Sequence, residues 1–207
     1  NKDFRKAIAA AIDKAAIVQV ALNGDGTPVD AMVPDCFPGT TAENAPTYDP
    51  EQAKAYLEAS GLDPAECGFS IICSDDTKLR AGQVIQSSLK ENLGIDIQLE
   101  SMDLAPYLDV TMTRVYVAAI GGYTYTGLLA YIQGVYHSNS IDASNLTRTN
   151  LPEADALIEQ IQTTLDPEEN EALIGEFCRL INEDCPFVPL YMKNNTRAYN
   201  SDIQGFN

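Results

Sequence analysis

A stretch rich in glycine, tyrosine and threonine is the part of this sequence best suited to contact a small molecule. Residues 121–127 read Gly-Gly-Tyr-Thr-Tyr-Thr-Gly, and further aromatic and polar side chains follow downstream. Glycines let a ligand approach the backbone closely, and tyrosine combines an apolar ring face with a hydroxyl tip. These residues predict a substrate-binding site that consists of Tyr123, Thr124, Tyr125, Tyr136, Asn139 and Asn145.

A simpler interpretation of the same residues is a packed turn with ordinary core tyrosines. For Asn145, backbone capping is favoured over ligand contact, because asparagine side chains readily hydrogen-bond to nearby backbone groups. Both interpretations stay open at the level of the sequence.

The sequence offers little for catalysis or for metal binding. Its single histidine, His137, has no serine-histidine pattern around it, and neither a Gly-x-Ser-x-Gly motif nor a phosphate-binding glycine loop occurs. The spacing of the five cysteines matches no zinc site, which favours mostly buried, reduced thiols. A calcium site at Asp25, Asp30 and Asp35 would lack the EF-hand spacing. We therefore predict no catalytic residue, no metal and no cofactor.

The charge balance excludes one class of partner. The chain carries 13 basic and 30 acidic residues, a net charge of −17 at pH 7. Nucleic acid binding needs clustered lysine and arginine, whereas such a surface is well solvated. We predict no nucleic acid partner. No run approaches the ~20 consecutive apolar residues of a membrane span.

The elements that would position the candidate site form an α/β unit. A strand at 69–73, a helix at 77–92 and a strand at 95–99 form a β-α-β unit, which makes the two strands parallel. A helix at 104–112 then leads to a third strand at 115–121. Ligands of parallel sheets bind beyond the carboxyl ends of the strands, which is where residues 121–127 would lie.

The remaining segments complete the predicted order. Residues 3–22 indicate two helical pieces with Asp13 as a cap, and a proline-rich irregular loop covers 28–48. Asp49 and Pro50 begin a helix that ends at Gly61. Two helices follow residue 150, and residues 187–191 predict a last core strand, whose Pro189 favours an edge position.

Several stretches in this order resemble the second lobe of the extracytoplasmic solute-binding proteins of the oligopeptide/dipeptide-binding family, the receptors of ABC importers. The matching stretches are 4–8, 11–14, 22–28, 48–57, 85–95, 150–158, 183–186 and 188–191. They cover nearly the whole chain. The resemblance implies a fold class of α/β with a mixed, mainly parallel sheet flanked by helices, the C-terminal-type lobe of a type II periplasmic-binding-protein fold. Residues 1–207 would be a single lobe of a larger two-lobed protein, with Asn1 and Asn207 close together at the hinge.

The resemblance also implies the function. Two lobes would close around a peptide or another small solute and deliver it to the membrane permease of an ABC importer. The partners would be that ligand, the permease and the first lobe of the same chain. The protein would lie outside the cytoplasmic membrane, either periplasmic or lipid-anchored. A ligand-sensing module of the same fold is the alternative, and an enzyme is not expected.

This sequence departs from the family in one respect. Peptide-binding members carry a tryptophan and an aspartate after the third strand, and that aspartate pairs with the amino terminus of the peptide. Here residues 121–136 contain no acidic residue and the chain has no tryptophan. A buried ammonium without a counter-charge is unfavourable, so the expected ligand is a differently anchored peptide, a sugar or another small solute.

Overall fold

Eight α-helices and five short strands make up the described part of the protein. The computed structural model describes residues 1–113 and 116–194. The helices are α1 Lys2–Ala11, α2 Lys14–Leu22, α3 Pro50–Ser60, α4 Asp76–Leu93, α5 Leu104–Thr113, α6 Leu128–Tyr136, α7 Pro152–Thr163 and α8 Pro167–Asp184. The strands are β1 Gly26–Pro28, β2 Phe69–Cys73, β3 Ile97–Ser101, β4 Ala118–Ala119 and β5 Tyr191–Lys193. The predicted α/β fold class is confirmed.

The main sheet has the order β3-β2-β4, and both neighbours of β2 run parallel to it. Phe69 pairs with Ile97, and Ile71 pairs with Ala118. This register confirms the predicted parallel β-α-β unit, although β3 begins two residues later than its alternating pattern suggested. All three carboxyl ends therefore lie along one edge of the sheet, which we call the carboxyl edge.

Helix ends follow the predicted cap chemistry. Asp13 accepts a hydrogen bond from the Ala16 amide at 2.9 Å, and Asp166 accepts one from Glu169 at the same distance. Gly61 and Gly94 end their helices with φ of 71° and 72°, a left-handed conformation that costs glycine little. These caps explain why the helix boundaries were readable from the sequence.

Two strand predictions were wrong in extent. The third strand, expected at 115–121, is only Ala118–Ala119, and residues 114–115 are outside the described ranges. The last strand, expected at 187–191, is Tyr191–Lys193, which pairs antiparallel with β1 in a separate two-stranded sheet. Pro189 cannot donate a ladder hydrogen bond, and Phe187 instead packs among aromatic side chains.

The apolar interior consists of two clusters with α1 between them. The first cluster holds Ala7, Ala10 and Ala11 together with the sheet and the inner faces of α2, α3 and α4. The second cluster holds Ala9 together with the inner faces of α6, α7 and α8. The small side chains of α1 allow both clusters to approach this helix closely.

Two further expectations concern the two ends of the chain and the presence of membrane-spanning helices. The predicted proximity of Asn1 and Asn207 involves a residue outside the described ranges. Across residues 1–113 and 116–194, no helix has the length and apolar character needed to cross a bilayer.

Candidate functional site

The carboxyl edge of the main sheet leads directly into the candidate segment. The Ile120 amide donates to the Ile72 carbonyl at 3.1 Å, so the chain stays beside β2 until it leaves the sheet. The hydroxyl of Tyr107, on α5, donates to the Ile120 carbonyl at 2.9 Å. Residues 121–126 therefore begin at a fixed point on this edge.

We call residues 121–126 the edge segment. It has neither helical nor strand structure, and Gly121, Gly122 and Thr124 are exposed whereas Tyr123 and Tyr125 are half-buried. Its backbone makes no hydrogen bond to another backbone group in the described part of the chain. Within residues 1–113 and 116–194, the N–H and C=O groups of this exposed stretch therefore have no backbone partner, which is the arrangement that an extended ligand can pair with.

Two aromatic rings of the edge segment pack with four rings from α6, α8 and the chain after α8. Tyr125 meets Tyr131 edge-to-face with ring centroids 5.5 Å apart, and Tyr123 lies 6.2 Å from Tyr125. Tyr136 stacks on Phe187 at 5.9 Å. We call this set the aromatic cluster, and its members are Tyr123, Tyr125, Tyr131, Tyr136, Phe177 and Phe187. The cluster fixes the edge segment on α6 and α8.

Two hydroxyls of the aromatic cluster fasten the proline-rich loop. Tyr131 and Tyr136 both donate to the Met32 carbonyl, at 2.8 and 2.5 Å. The Met32 amide donates to the Asn182 side-chain oxygen at 2.9 Å. The backbone amide and the backbone carbonyl of Met32 are therefore both hydrogen-bonded, and they hold the long irregular loop that was predicted at 28–48.

The six predicted site residues occupy different environments. Tyr123, Thr124 and Tyr125 come together at the carboxyl edge, and Asn139 is exposed beyond the far end of α6. Tyr136 is 0% exposed and Asn145 is 1% exposed, so both lie in the interior. In this structure only the first three of the six form one accessible group.

Asn145 organises the chain after α6. Its side-chain amide donates to the carbonyls of Thr149 and His137 at 2.9 and 3.2 Å, and its oxygen accepts from the Thr149 amide at 3.0 Å. This is the backbone capping that its residue type favours. Nearby, the Nδ1 atom of His137 accepts from the Asn139 amide at 3.1 Å.

The tyrosines in and beside the edge segment are suited to hydrogen bonding and not to proton transfer. Burial raises the pKa of Tyr123 to about 12, and the neighbouring Tyr125 and Tyr131 hydroxyls act in the same direction. Burial also raises the pKa of Tyr131. Because both phenols stay neutral near pH 7, they can donate or accept hydrogen bonds but cannot serve as ready bases.

Sequence reasoning missed a polar group at the end of β2. Lys78 donates to Ser74 Oγ at 2.7 Å and to Asp75 Oδ2 at 2.8 Å, and its ammonium lies 5.6 Å from the Tyr107 ring centroid. Burial by itself would raise the pKa of Asp75, but the hydrogen bonds from Lys78 hold it below its usual value. The signal was available, because Ser74 and Asp75 directly follow a strand that ends at this edge.

Metal chemistry finds no support in the described residues. No group of three or more histidine, cysteine or acidic side chains there could hold a metal ion. His137 lies 3.6 Å from Asp155 and 3.8 Å from Glu159, and its side chain is 8% exposed. Its contacts place it inside the structure near the end of α6.

Residues 1–141 match the model of the middle portion of the bacterial extracellular solute-binding proteins, family 5. The chain belongs to this family. The match covers α1 to α6 and includes the carboxyl edge and the edge segment. The family and the curated relatives are binding proteins and not enzymes.

Named relatives agree with the family assignment. The oligopeptide-binding protein OppA of Bacillus subtilis is 24% identical over 99% of this chain and 39% of its own length. The structure of the Escherichia coli murein tripeptide binding protein MppA superposes with a TM-score of 0.82 at 21% identity, over 93% of this chain and 39% of that one. The structure of DppA from Helicobacter pylori in complex with the peptide STSA superposes with a TM-score of 0.81 at 23% identity. This match covers 93% of this chain and 39% of that one. These similarities establish the predicted fold, and the chain spans about two fifths of the length of these family 5 relatives.

Proposed function

We propose that residues 1–207 form one lobe of a two-lobed extracytoplasmic receptor that captures a peptide or another small solute for an ABC importer. The observation that supports this most directly is the edge segment at the carboxyl edge of a parallel sheet, an exposed stretch whose backbone groups have no backbone partner among the described residues. Membership of the family 5 solute-binding proteins also supports a role in solute capture.

The edge segment would supply two kinds of contact to a solute. Its free N–H and C=O groups would pair with the main chain of an extended peptide or with sugar hydroxyls. Tyr123 and Tyr125 would add ring surface and hydroxyl groups. A second lobe would then cover the solute and exclude water, which strengthens each of these contacts.

The amino terminus of a peptide would not be anchored by the edge segment. Residues 121–136 carry no carboxylate, and Asp75 at the neighbouring strand end is already paired with Lys78 at 2.8 Å. A buried ammonium would lack a counter-charge here. The ligand is therefore a peptide held by other groups, a sugar or another small solute.

Calorimetry on the full-length protein tests the anchoring, with trialanine, N-acetyl-trialanine and maltotriose as probes. We expect saturable binding of at least one probe, and acetylation of the peptide should change its affinity by less than about threefold, since no charge pair is lost. Peptide binding that acetylation abolishes would contradict the proposed anchoring. Failure of these probes and of a di- to pentapeptide library to bind would contradict solute capture itself.

A pair of matched variants tests the location of the site. Tyr125→Ala should weaken binding about tenfold, because a desolvated aromatic contact is worth roughly 1–2 kcal/mol. Tyr56→Ala is the control, since Tyr56 is also half-buried but lies on α3 in the first apolar cluster. Equal losses in the two variants would contradict a site at the carboxyl edge.

The two-lobed arrangement makes a separate prediction for the 207-residue chain alone. With only half of the contacts and an open face, it should bind no solute more tightly than about 1 mM. Micromolar binding by the isolated chain would contradict closure as the source of affinity. Uptake of labelled solute by cells that lack the gene would test the role in import, and unchanged uptake would favour sensing.

A further inference from the structure

The exposure of the edge segment depends on where the main sheet ends. Ile72 pairs with Ala119 in the parallel register of β2 and β4, and the Ile120 amide donates to the Ile72 carbonyl at 3.1 Å. In a parallel ladder the next bond would run from the Ser74 amide to the Ile120 carbonyl. That bond is not formed, and the Ser74 amide has no backbone acceptor in the described part of the chain. The ladder between β2 and β4 therefore ends at the bond from Ile120 to Ile72.

The Tyr107 hydroxyl takes the place of the missing amide. It donates to the Ile120 carbonyl at 2.9 Å, and Tyr107 is buried, with 6% of the residue exposed. A Cβ atom built on Gly121 would lie 3.4 Å from Tyr107 Oη, so the hydroxyl also reaches the first residue of the edge segment. Burial raises the pKa of Tyr107, and the hydroxyl therefore keeps its proton near pH 7 and stays a donor. Because α5 supplies this donor, the chain can leave the sheet without an unpaired buried carbonyl.

One lysine holds both the tyrosine and the serine in their positions. The Lys78 ammonium lies 5.6 Å from the Tyr107 ring centroid. It donates to Ser74 Oγ at 2.7 Å and to Asp75 Oδ2 at 2.8 Å. Asp75 also caps α4, since its Oδ1 atom accepts from the Lys78 amide at 2.9 Å. The same side chain thus holds the Tyr107 ring at the carboxyl edge and holds Ser74 beside the start of α4.

We infer that Tyr107 is a positioning residue of the proposed solute site. Its hydroxyl ends the ladder at Ile120 and directs residues 121–126 out of the sheet, which leaves their backbone groups available to a solute. This role rests on the proposed function of the edge segment, and Tyr107 acts through the Ile120 carbonyl and not by contact with the solute. Without the hydroxyl, that carbonyl would take the next ladder bond, from the Ser74 amide, and the start of the edge segment would be drawn towards β2.

Tyr107→Phe in the full-length protein tests this role, because it removes the hydroxyl and keeps the buried ring. Hydrogen–deuterium exchange at the Ser74 amide should slow by at least about tenfold, since that amide gains a ladder hydrogen bond. The urea midpoint should change little, because one hydrogen bond to the Ile120 carbonyl replaces another. Calorimetry with trialanine, N-acetyl-trialanine and maltotriose should give an affinity about fivefold weaker for each probe that the wild type binds, because the edge segment is no longer preorganised.

Thr111→Val is the matched control on the same helix. Thr111 is 4% exposed, and its hydroxyl donates to the Leu108 carbonyl at 3.0 Å, a bond that stays within α5. The variant therefore loses a buried hydroxyl-to-carbonyl bond but keeps the donor to the Ile120 carbonyl. The exchange rate of the Ser74 amide and the affinities for the probes should stay within about 1.5-fold of wild type, because the lost bond is confined to its own helix.

Unchanged exchange of the Ser74 amide in Tyr107→Phe would overturn the positioning role, whether or not any probe binds. Equal affinity of Tyr107→Phe and the wild type for a probe that binds would overturn it too. So would a loss of affinity that Thr111→Val reproduces, since a less stable α5 would then be the cause. Failure of every probe to bind the wild type would count against solute capture alone, and the exchange measurement would still decide how Tyr107 positions the edge segment.

Discussion

The phenol of Tyr125 occupies the place where a side chain at Gly134 would project. A Cβ atom built on Gly134 would lie 2.5 Å from Tyr125 Oη and 3.0 Å from its Cε1 atom. Gly134 is in the middle of α6, where glycine is otherwise unfavourable. This glycine therefore allows the edge segment to rest against the helix.

Gly134→Ala should displace the ring of Tyr125 and lower the free energy of unfolding by about 1 kcal/mol, an overpacking cost that exceeds the gain in helix propensity. In a Tyr125→Ala background the same change should stabilise the protein by roughly 0.5–1 kcal/mol, because only the helix propensity then remains. Urea unfolding of the four proteins gives the coupling energy. An equal effect of Gly134→Ala in both backgrounds would rule out the contact.

Tyr131 and Tyr136 should behave non-additively, because both hydroxyls donate to the Met32 carbonyl. Each single change to phenylalanine leaves one donor in place and should cost about 1 kcal/mol. The double variant leaves the buried carbonyl without either phenol and should cost about 1 kcal/mol more than the sum. Chemical denaturation measures this coupling, and strict additivity would mean that the carbonyl finds another donor.

Asn145 and Asn139 form a natural test pair of one residue type at two exposures. Asn145→Ala removes four hydrogen bonds shorter than 3.3 Å at a buried position and should cost about 2–4 kcal/mol. Asn139→Ala changes an exposed side chain and should cost less than about 0.5 kcal/mol. Thermal and urea unfolding compare the two variants. A similar loss for both would remove the structural role assigned to Asn145.

Glu183 should give the protein an acid-sensitive contribution to stability. Burial by itself would raise its pKa, but hydrogen bonds from Lys6 at 2.6 Å and Lys2 at 2.9 Å hold it below the ordinary value of 4.5. Because the folded pKa is the lower one, the contribution is present above the unfolded value and is lost as the pH falls through the folded value.

Glu183→Gln should therefore destabilise the protein at pH 7 and have a decreasing effect as the pH is lowered below 4.5. Urea unfolding between pH 3 and pH 7 measures the difference in free energy, with Glu176→Gln as a matched control on the same helix. An effect of Glu183→Gln that stays constant with pH would contradict the lowered pKa.

Local chemistry explains which elements the sequence predicted well. Asp13, Asp49 and Asp166 each lie just before a helix and accept its first amides, and Gly61 and Gly94 lie just after one. Cap residues act within a few positions of themselves, so their effect is visible without tertiary structure. The β-α-β unit was also predictable, because local sequence signals mark its two strands and its helix.

Elements that depend on distant contacts were predicted less well. Helix α6 was missed because residues 128–136 look like a short apolar segment, although Leu128, Ile132 and Val135 follow helical spacing. Tyr136 was assigned to the surface site, but its hydroxyl binds the Met32 carbonyl, a partner more than 100 residues away in sequence. Such a pairing depends on the packing of the proline-rich loop and leaves no local pattern.

The position of α1 between the two apolar clusters determines how the protein unfolds. Ala9 packs into one apolar cluster, and Ala7 and Ala10 pack into the other. Unfolding of either apolar cluster would remove the packing on one side of α1. The other cluster would then be less stable, because it packs against the same helix. Both clusters should consequently melt in a single cooperative transition, and a calorimetric scan of the chain should contain one endotherm instead of two.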